Sequence, residues 1–279
     1  MNATDFAYLA DLLKRRAGFH LSPNKTHLAT SRLASVARRY GFRKTDELFA
    51  ELRDAPEGLA RAVTDAMMIN ESSFFRDKSC FDHFRGVILP SLLSARAASR
   101  RLRIWCAAAS TGQEAYSLAM ILDEAKIAKE WRIDLVASDI SSIAIARAIE
   151  GRYSQYEVQR GLPAHTLVRY FAQDGDQWRI SERIRRMVVF RNFNLLDSYG
   201  WLGEIDVIFC RNAFLYFEPL AKRACLKAFS QVLADDGYLA LGASETMEGA
   251  STAFISDDAS VRGVYRKARP ALRPIALAS

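Results

Sequence analysis

Leu102-Arg-Ile-Trp-Cys106, followed by Ala107-Ala-Ala-Ser-Thr-Gly-Gln-Glu114, decides the fold. A short apolar run, then small residues that allow close backbone approach, then a helical pattern over 115–129, spell strand, tight turn and helix. The alternation continues outward. Ile133–Ser138, Val188–Phe190, Ile205–Cys210, Tyr238–Gly242 and Val264–Arg266 read as strands, and 142–150 and 219–234 as helices. Such alternation predicts a mostly parallel sheet covered on both faces. In open α/β sheets ligands sit beyond the carboxyl ends of the strands, so the residues after each strand carry the functional reading. The quoted stretch has no GxGxxG and no Walker lysine, which leaves a dinucleotide phosphate cradle weakly supported. Alone, it reads equally as a tight turn with a solvated Glu114.

Asp139 follows the second strand, 27 residues beyond Gly112. A carboxylate there can accept from both ribose hydroxyls of a bound nucleoside. It can also be a helix cap or a solvated aspartate, although Ser141 is the better cap for the next helix. Arg211 and Asn212 follow the strand at 205–210 and precede Ala213-Phe-Leu-Tyr-Phe217. Polar groups near a core need partners, so Arg211 is either a ligand contact or an arginine salt-bridged inside the sheet edge. Arg76, after two phenylalanines, poses the same choice. The four histidines have no ligand spacing, so no metal site is expected, and no Ser–His–Asp order stands out.

The first seventy residues read as helices only. Phe6, Leu9, Leu12 and Leu13 mark one helical face, and Gly18 closes it. Ser22-Pro23 reads as the next start, with Ser as cap and Pro in the first turn. In that helix Leu33, Val36, Ala37 and Tyr40 form a stripe expected to pack inward. Lys25, Arg32 and Arg39 share another face, with Arg38 beside it and no acid between residues 25 and 40. Gly41 ends the helix. Thr45–Asp54 and Gly58–Met68 read as two more helices, Asn70–Asp77 as a connection, and 78–97 as a further helix. Residues 152–190 interrupt the alternation, with Gln177–Ile180 as a strand of a small hairpin. The tail after Ala268, with Pro270 and Pro274, is expected to be disordered. The expected organisation is a helical domain over 1–69, a linker and connecting helix over 70–98, an α/β domain over 99–268 with an insertion at about 152–190, and a tail over 269–279.

Among 279 residues, Lys and Arg outnumber Asp and Glu by 39 to 32, for a net charge of +7. That surplus favours acidic partners: nucleic acid, anionic lipid or an acidic protein. Four widely spaced cysteines without a CxxC pair argue against a disulfide scaffold or zinc knuckle and suit a reducing cytoplasm. No apolar run reaches about 18 residues, so no transmembrane helix is expected. Asp5 and Asp11 inside the first apolar pattern do not fit a signal peptide.

Together these segments resemble the chemotaxis receptor methyltransferases, the CheR type, from about residue 5 to residue 268. The resemblance rests on Asn70-Glu-Ser-Ser-Phe-Phe-Arg-Asp77, Trp105-Cys-Ala-Ala-Ala-Ser-Thr-Gly-Gln-Glu-Ala-Tyr-Ser117, Ala137-Ser-Asp-Ile140, Phe193-Asn-Leu-Leu196, Ile208-Phe-Cys-Arg-Asn212 with Tyr216-Phe217, and Leu241-Gly-Ala-Ser-Glu245, in the family's order and at similar spacing. It implies a Rossmann-like S-adenosylmethionine-dependent methyltransferase domain, a small N-terminal all-helical domain and a small β insertion. The implied activity is methylation of receptor glutamate side chains, with S-adenosylhomocysteine as by-product. By position, the family's cofactor contacts fall on Asn70, Ser72, Arg76, Glu114, Asp139, Asn194, Leu195, Cys210 and Arg211. Arg76, Asp139 and Tyr216 match positions where substrate and methyl donor meet.

Ser72 stands where the family usually has Thr, Gln113 replaces the first of two acids, Ala115 a Pro, Ser141 an Asp and Ala243 a His. None removes an implied contact group. The short Gln173–Ile180 stretch resembles members whose insertion does not grip a pentapeptide tether. The implied partners are acidic helical cytoplasmic domains of receptors, which the basic stripe of Lys25, Arg32, Arg38 and Arg39 would meet. A monomeric cytoplasmic enzyme that neither inserts into membranes nor acts on nucleic acid is the expectation. The rival readings are a non-catalytic S-adenosylmethionine-binding signalling module and a nucleic-acid methyltransferase.

Overall fold

The computed structural model describes residues 1–54, 57–247 and 249–268; the expected disordered tail lies outside them. Helix α1 (Ala3–Ala17) starts where the Asn2 side chain accepts from the Asp5 N–H. It ends at Gly18, whose φ of +63° suits a residue without a Cβ. Ser22 does not cap the next helix. Its side chain makes no capping bond, Pro23–Lys25 forms a 3₁₀ turn, and α2 begins at Thr26 and runs to Arg39. α3 (Thr45–Arg53) and α4 (Glu57–Met67) complete this unit. Leu9, Leu13, Leu33, Leu48, Phe49 and Val63 are wholly buried together, each contributing roughly 1.5–3 kcal/mol by burial. Tyr40 departs from the inward stripe: it is exposed, and its hydroxyl reaches the Gly58 carbonyl.

The helix expected over 78–97 is divided into α5 (Lys78–His83), a π turn (Phe84–Ile88) and α6 (Leu89–Ala95). Pro90 has no N–H to give the Gly86 carbonyl, and the wider π turn precedes it.

The main sheet has seven strands in the order β6-β2-β1-β7-β8-β10-β9. These are β1 (Arg101–Ala107), β2 (Arg132–Asp139), β6 (Val188–Asn192), β7 (Ile205–Phe209), β8 (Leu233–Ala240), β9 (Phe254–Ser256) and β10 (Val264–Lys267). The first five in that spatial order are parallel; β10 runs antiparallel to β8, and β9 antiparallel to β10. α7 (Gln113–Glu124), α8 (Ser142–Glu150) and α12 (Pro219–Val232) connect them. α7 stops short of residue 129; Lys126 turns at φ +57° into a 3₁₀ turn at Ile127–Lys129. The insertion is a three-stranded sheet, β3 (Arg152–Ser154), β4 (Phe171–Asp174) and β5 (Gln177–Ile180), in the order β3-β5-β4, with α9 (Gln155–Gln159), α10 (Ala164–Tyr170) and α11 (Glu182–Arg185).

One face of the main sheet packs Leu102, Ile104, Leu135, Val207 and Phe209 against α5–α7. The other packs Trp105, Ile208 and Leu239 against α12. Coverage on both faces, expected from the alternation, is incomplete. The β6–β7 connection crosses the sheet without a helix, so Val136 is half-buried and Val189 is 51% exposed.

The helical unit is seated on the carboxyl rim of the parallel strands. Phe19 pairs with Phe217 as an antiparallel bridge, His20 N–H donates to the Tyr216 carbonyl at 2.7 Å, and Glu218 N–H donates to Gly18 at 2.7 Å. A Cβ on Gly18 would lie 2.7 Å from Ala221 Cβ, so glycine there serves both the cap and the seating. Asn194 Nδ2 donates to the Arg16 carbonyl, and Ser142 Oγ to Asp65, both at 2.6 Å.

Candidate active site

A cavity opens between the strand ends and the helical unit. Its walls come from the loops after β1, β2, β6 and β7, the 70–76 connection, and Ala17 and Phe19 of the N-terminal unit. The loop after β1 turns through Ala108 and Ser110, both at positive φ (+60° and +52°), before Gly112 at +95° starts α7. A Cβ on Gly112 would meet Ala148 Cβ at 2.9 Å. Phe75, Asp77 and Asn212 also have positive φ. Left-handed non-glycine residues cost energy and persist only where surroundings hold them; Ala108, Ser110 and Asn212 line the cavity, and Phe75 and Asp77 flank Arg76, which also lines it.

Asp139 is buried at the end of β2. One carboxylate oxygen accepts the Ser110 N–H at 2.8 Å and the other the Ser141 N–H at 2.9 Å. Burial pushes its pKa up from the usual carboxylate range, against the pull of those two donors. Each oxygen keeps a lone pair for a further donor. Ser141 caps α8 by accepting from Ala144 N–H, which leaves Asp139 facing the cavity as the spacing predicts. Ser110 Oγ, also at the wall, is buried without a partner. An orphaned hydroxyl beside a carboxylate with free acceptor capacity suits a ribose diol.

Glu114 and Arg211 form a buried pair in the cavity wall. Arg211 Nη1 donates to Glu114 Oε2 at 3.0 Å, and Nη2 to Asp77 Oδ2 at 2.6 Å. The guanidinium also lies over the Phe81 ring, 5.3 Å from its centroid, and the side chain is only 1% exposed. Arg211 thus takes the internal salt bridge, one of the two roles open to it in sequence. Glu114 accepts in addition from Cys106 Sγ at 3.2 Å, and burial raises its pKa while Arg211 opposes the rise.

Arg76 differs from Arg211. Among the described residues its one side-chain hydrogen bond is to the Glu71 carbonyl, at 3.4 Å, and it makes no ion pair. Tyr216 stacks on Phe19 with ring centroids 6.0 Å apart, and its hydroxyl has no partner among the described residues. A forked cation and a phenol therefore face the cavity unengaged.

Of the site residues expected from sequence, Asn70, Ser72, Arg76, Glu114, Asp139, Asn194, Leu195, Arg211 and Tyr216 all line this cavity. Cys210 does not. It is wholly buried within the apolar cluster beneath α12, with its N–H on the Ala240 carbonyl. Among the basic stripe, Lys25, Arg38 and Arg39 are exposed. Arg32 is turned inward, donating to the Met67 and Met68 carbonyls at 2.9 and 3.1 Å. Those carbonyls end α4 and lack helical donors, which draws Arg32 out of a docking stripe. Gln113 is buried beside Thr111 and away from the cavity. Sequence reasoning missed Ser110 and Asn212 at the walls, and Glu245 behind them. Glu245 Oε2 accepts the Asn212 and Gly242 N–H groups at 2.8 and 2.6 Å, holding the loop after β7. A buried acid inside Leu241–Glu245 was the available signal for it.

Residues 4–68 match the family model of the CheR methyltransferase all-alpha domain, and residues 70–262 that of the CheR methyltransferase SAM binding domain. The chain belongs to the CheR methyltransferase family. It is 37% identical to "Chemotaxis protein methyltransferase 1" of Pseudomonas aeruginosa over 267 residues, 94% of this chain and 97% of that protein. It is 36% identical to "Chemotaxis protein methyltransferase Cher2" of Pseudomonas putida over 251 residues, 88% of this chain and 91% of that one. The cofactor of this CheR methyltransferase is S-adenosylmethionine, and the acid-lined, hydroxyl-bearing cavity at the strand ends fits it.

Proposed function

We propose that this CheR-family enzyme methylates glutamate side chains on the cytoplasmic domains of chemotaxis receptors, forming γ-carboxyl esters. The observation that carries this reading is Arg76, a guanidinium at the cavity without a carboxylate of its own. Asp139 and Ser110 would hold the ribose, with Asn70, Ser72, Asn194 and Leu195 completing the cofactor's surroundings. Bound S-adenosylmethionine supplies a methyl group on a positively charged sulfur, open to direct displacement by a carboxylate oxygen. A glutamate side chain, with a reference pKa near 4.3, is already ionised at pH 7, so no residue here has to remove a proton. Arg76 offers two parallel N–H donors to that carboxylate, and the Tyr216 hydroxyl donates to it or fixes its approach. Phe19 and Phe217 meet at the cavity wall from the two units. The task is positioning, which converts an encounter into a reaction within a bound pair.

Each turnover removes one negative charge from the receptor surface. Exposed Lys25, Arg38 and Arg39 suit attraction to acidic helices and act mainly on the encounter rate. The enzyme works in the cytoplasm as a monomer, and the short β4–β5 hairpin works without a peptide tether. Radiolabelled methyl transfer to purified receptor cytoplasmic fragments tests the reading. Label released by mild base as methanol is expected. Base-stable label, or transfer to tRNA or DNA fragments instead, would overturn it.

A further inference from the structure

The uncovered part of the main sheet forms an open groove along β1, β2 and β6. It shares no residue with the cavity. Parallel strands joined across a sheet usually carry a helix on the crossover. Here residues 193–204 cross from edge strand β6 to β7 with only turns, and they cover Trp105 but not the outer strands. Val136 and Val189 form an apolar floor in register across β2 and β6. Trp201, 39% exposed, stands at one wall.

The rim is basic. Arg101, Arg103, Arg132, Arg186 and Arg191 line the groove against a single acid, Asp134. Three of them share that acid: Arg101 at 2.7 Å, Arg132 at 3.3 Å and Arg103 at 3.6 Å. Arg186 pairs outside the lining with Glu182. Arg191 makes no ion pair among the described residues and lies over the Trp201 ring, 5.0 Å from its centroid. Apolar surface within a rim where three arginines share one acid and a fourth has none calls for a ligand with one apolar face and acidic flanks. The eight residues of β2 run roughly 26 Å at about 3.3 Å each, the length of a helix of about 17 residues.

We propose that this groove docks an acidic amphipathic helix of a protein partner, seated on Val136 and Val189 where the fold omits its own crossover helix and held by the arginine rim. The proposal goes beyond the methylation reading and does not depend on what is methylated. A nucleic acid would also answer the positive charge, but it would not require the valine floor.

The test uses the full chain and a fluorescein-labelled peptide of about 17 residues, with leucines at i, i+3, i+4 and i+7 and glutamates on the flanks. Saturable binding that weakens with salt is expected. Val189→Glu and Arg191→Glu, both at exposed positions, should each weaken it at least about tenfold, with S-adenosylmethionine affinity and melting temperature unchanged as proof of folding. A peptide of the same composition with its leucines dispersed should bind much less well. Absence of binding, equal binding by the dispersed peptide, or wild-type affinity in both folded variants overturns the proposal. So does a thymidine oligonucleotide that binds more tightly than the peptide and loses affinity in the same variants; the groove is then a nucleic-acid surface.

Discussion

Replacing Asp139 by alanine should damage two properties at once, and the geometry separates them. The carboxylate holds the Ser110 and Ser141 N–H groups at 2.8 and 2.9 Å in a buried setting. A buried donor left without an acceptor costs about 1–3 kcal/mol, so the two together predict a loss of about 2–6 kcal/mol. At roughly 2–4 °C per kcal/mol for a protein of this size, the melting temperature should fall by roughly 4–24 °C. Loss of two charge-assisted bonds to the ribose, about 1.5–3 kcal/mol each with incomplete additivity, should weaken S-adenosylmethionine binding by at least about tenfold. Asp139→Asn keeps the shape and one oxygen acceptor but opposes an NH₂ to one of the N–H donors. It should lose about half as much stability as the alanine variant and still bind poorly. Scanning calorimetry reads the first property, and titration calorimetry with S-adenosylhomocysteine, well below the melting transition, reads the second. Wild-type affinity in the folded alanine variant would refute the ribose assignment and leave Asp139 as a loop anchor only.

Arg211→Met should leave Glu114 buried and unpaired, costing about 3–5 kcal/mol; thermal unfolding checks this, and adding Glu114→Gln should restore part of the loss. Arg76→Ala and Tyr216→Phe should lower methyl-transfer turnover far more than melting temperature, because Arg76 makes only a long bond to the Glu71 carbonyl and the phenylalanine keeps the ring stacked on Phe19 while removing an unpartnered hydroxyl; equal loss of both properties would contradict the positioning role. Arg38→Glu with Arg39→Glu should raise the receptor KM and flatten its salt dependence without altering cofactor affinity, whereas Arg32→Glu should instead destabilise the fold by uncapping α4. Asp139 and Glu114 have folded pKa values above their unfolded ones, so folding takes up protons at these sites. Their stabilising contribution is complete below about pH 4 and is lost as pH rises through the folded pKa values. The stability difference between wild type and Asp139→Asn, followed by denaturant titration from pH 4 upward, should therefore shift against the wild type; a difference independent of pH would refute it.

Strand and helix positions were legible in the sequence because their signal is local: period-two and buried runs such as Leu102–Cys106, and the three-to-four step of Leu9, Leu12 and Leu13. The cavity residues were legible for a related reason. In a parallel sheet every strand ends on the same rim, so Glu114, Asp139 and Arg211 had to converge once their strands were read. Which partner each would take was not legible. Arg211 and Arg76 look alike in sequence, yet only Arg211 finds two carboxylates, because Glu114 and Asp77 come from elements brought together by packing. Arg32 shares its helical stripe with Lys25 and Arg39, but α4 ends beside it and takes its donors. Cys210 sits next to Arg211 in the chain and points the other way, since successive residues at a strand end face opposite sides of the sheet. The open groove on β2 and β6 is the furthest from sequence: it exists because one crossover has no helix, and an absence of packing has no residue of its own to announce it.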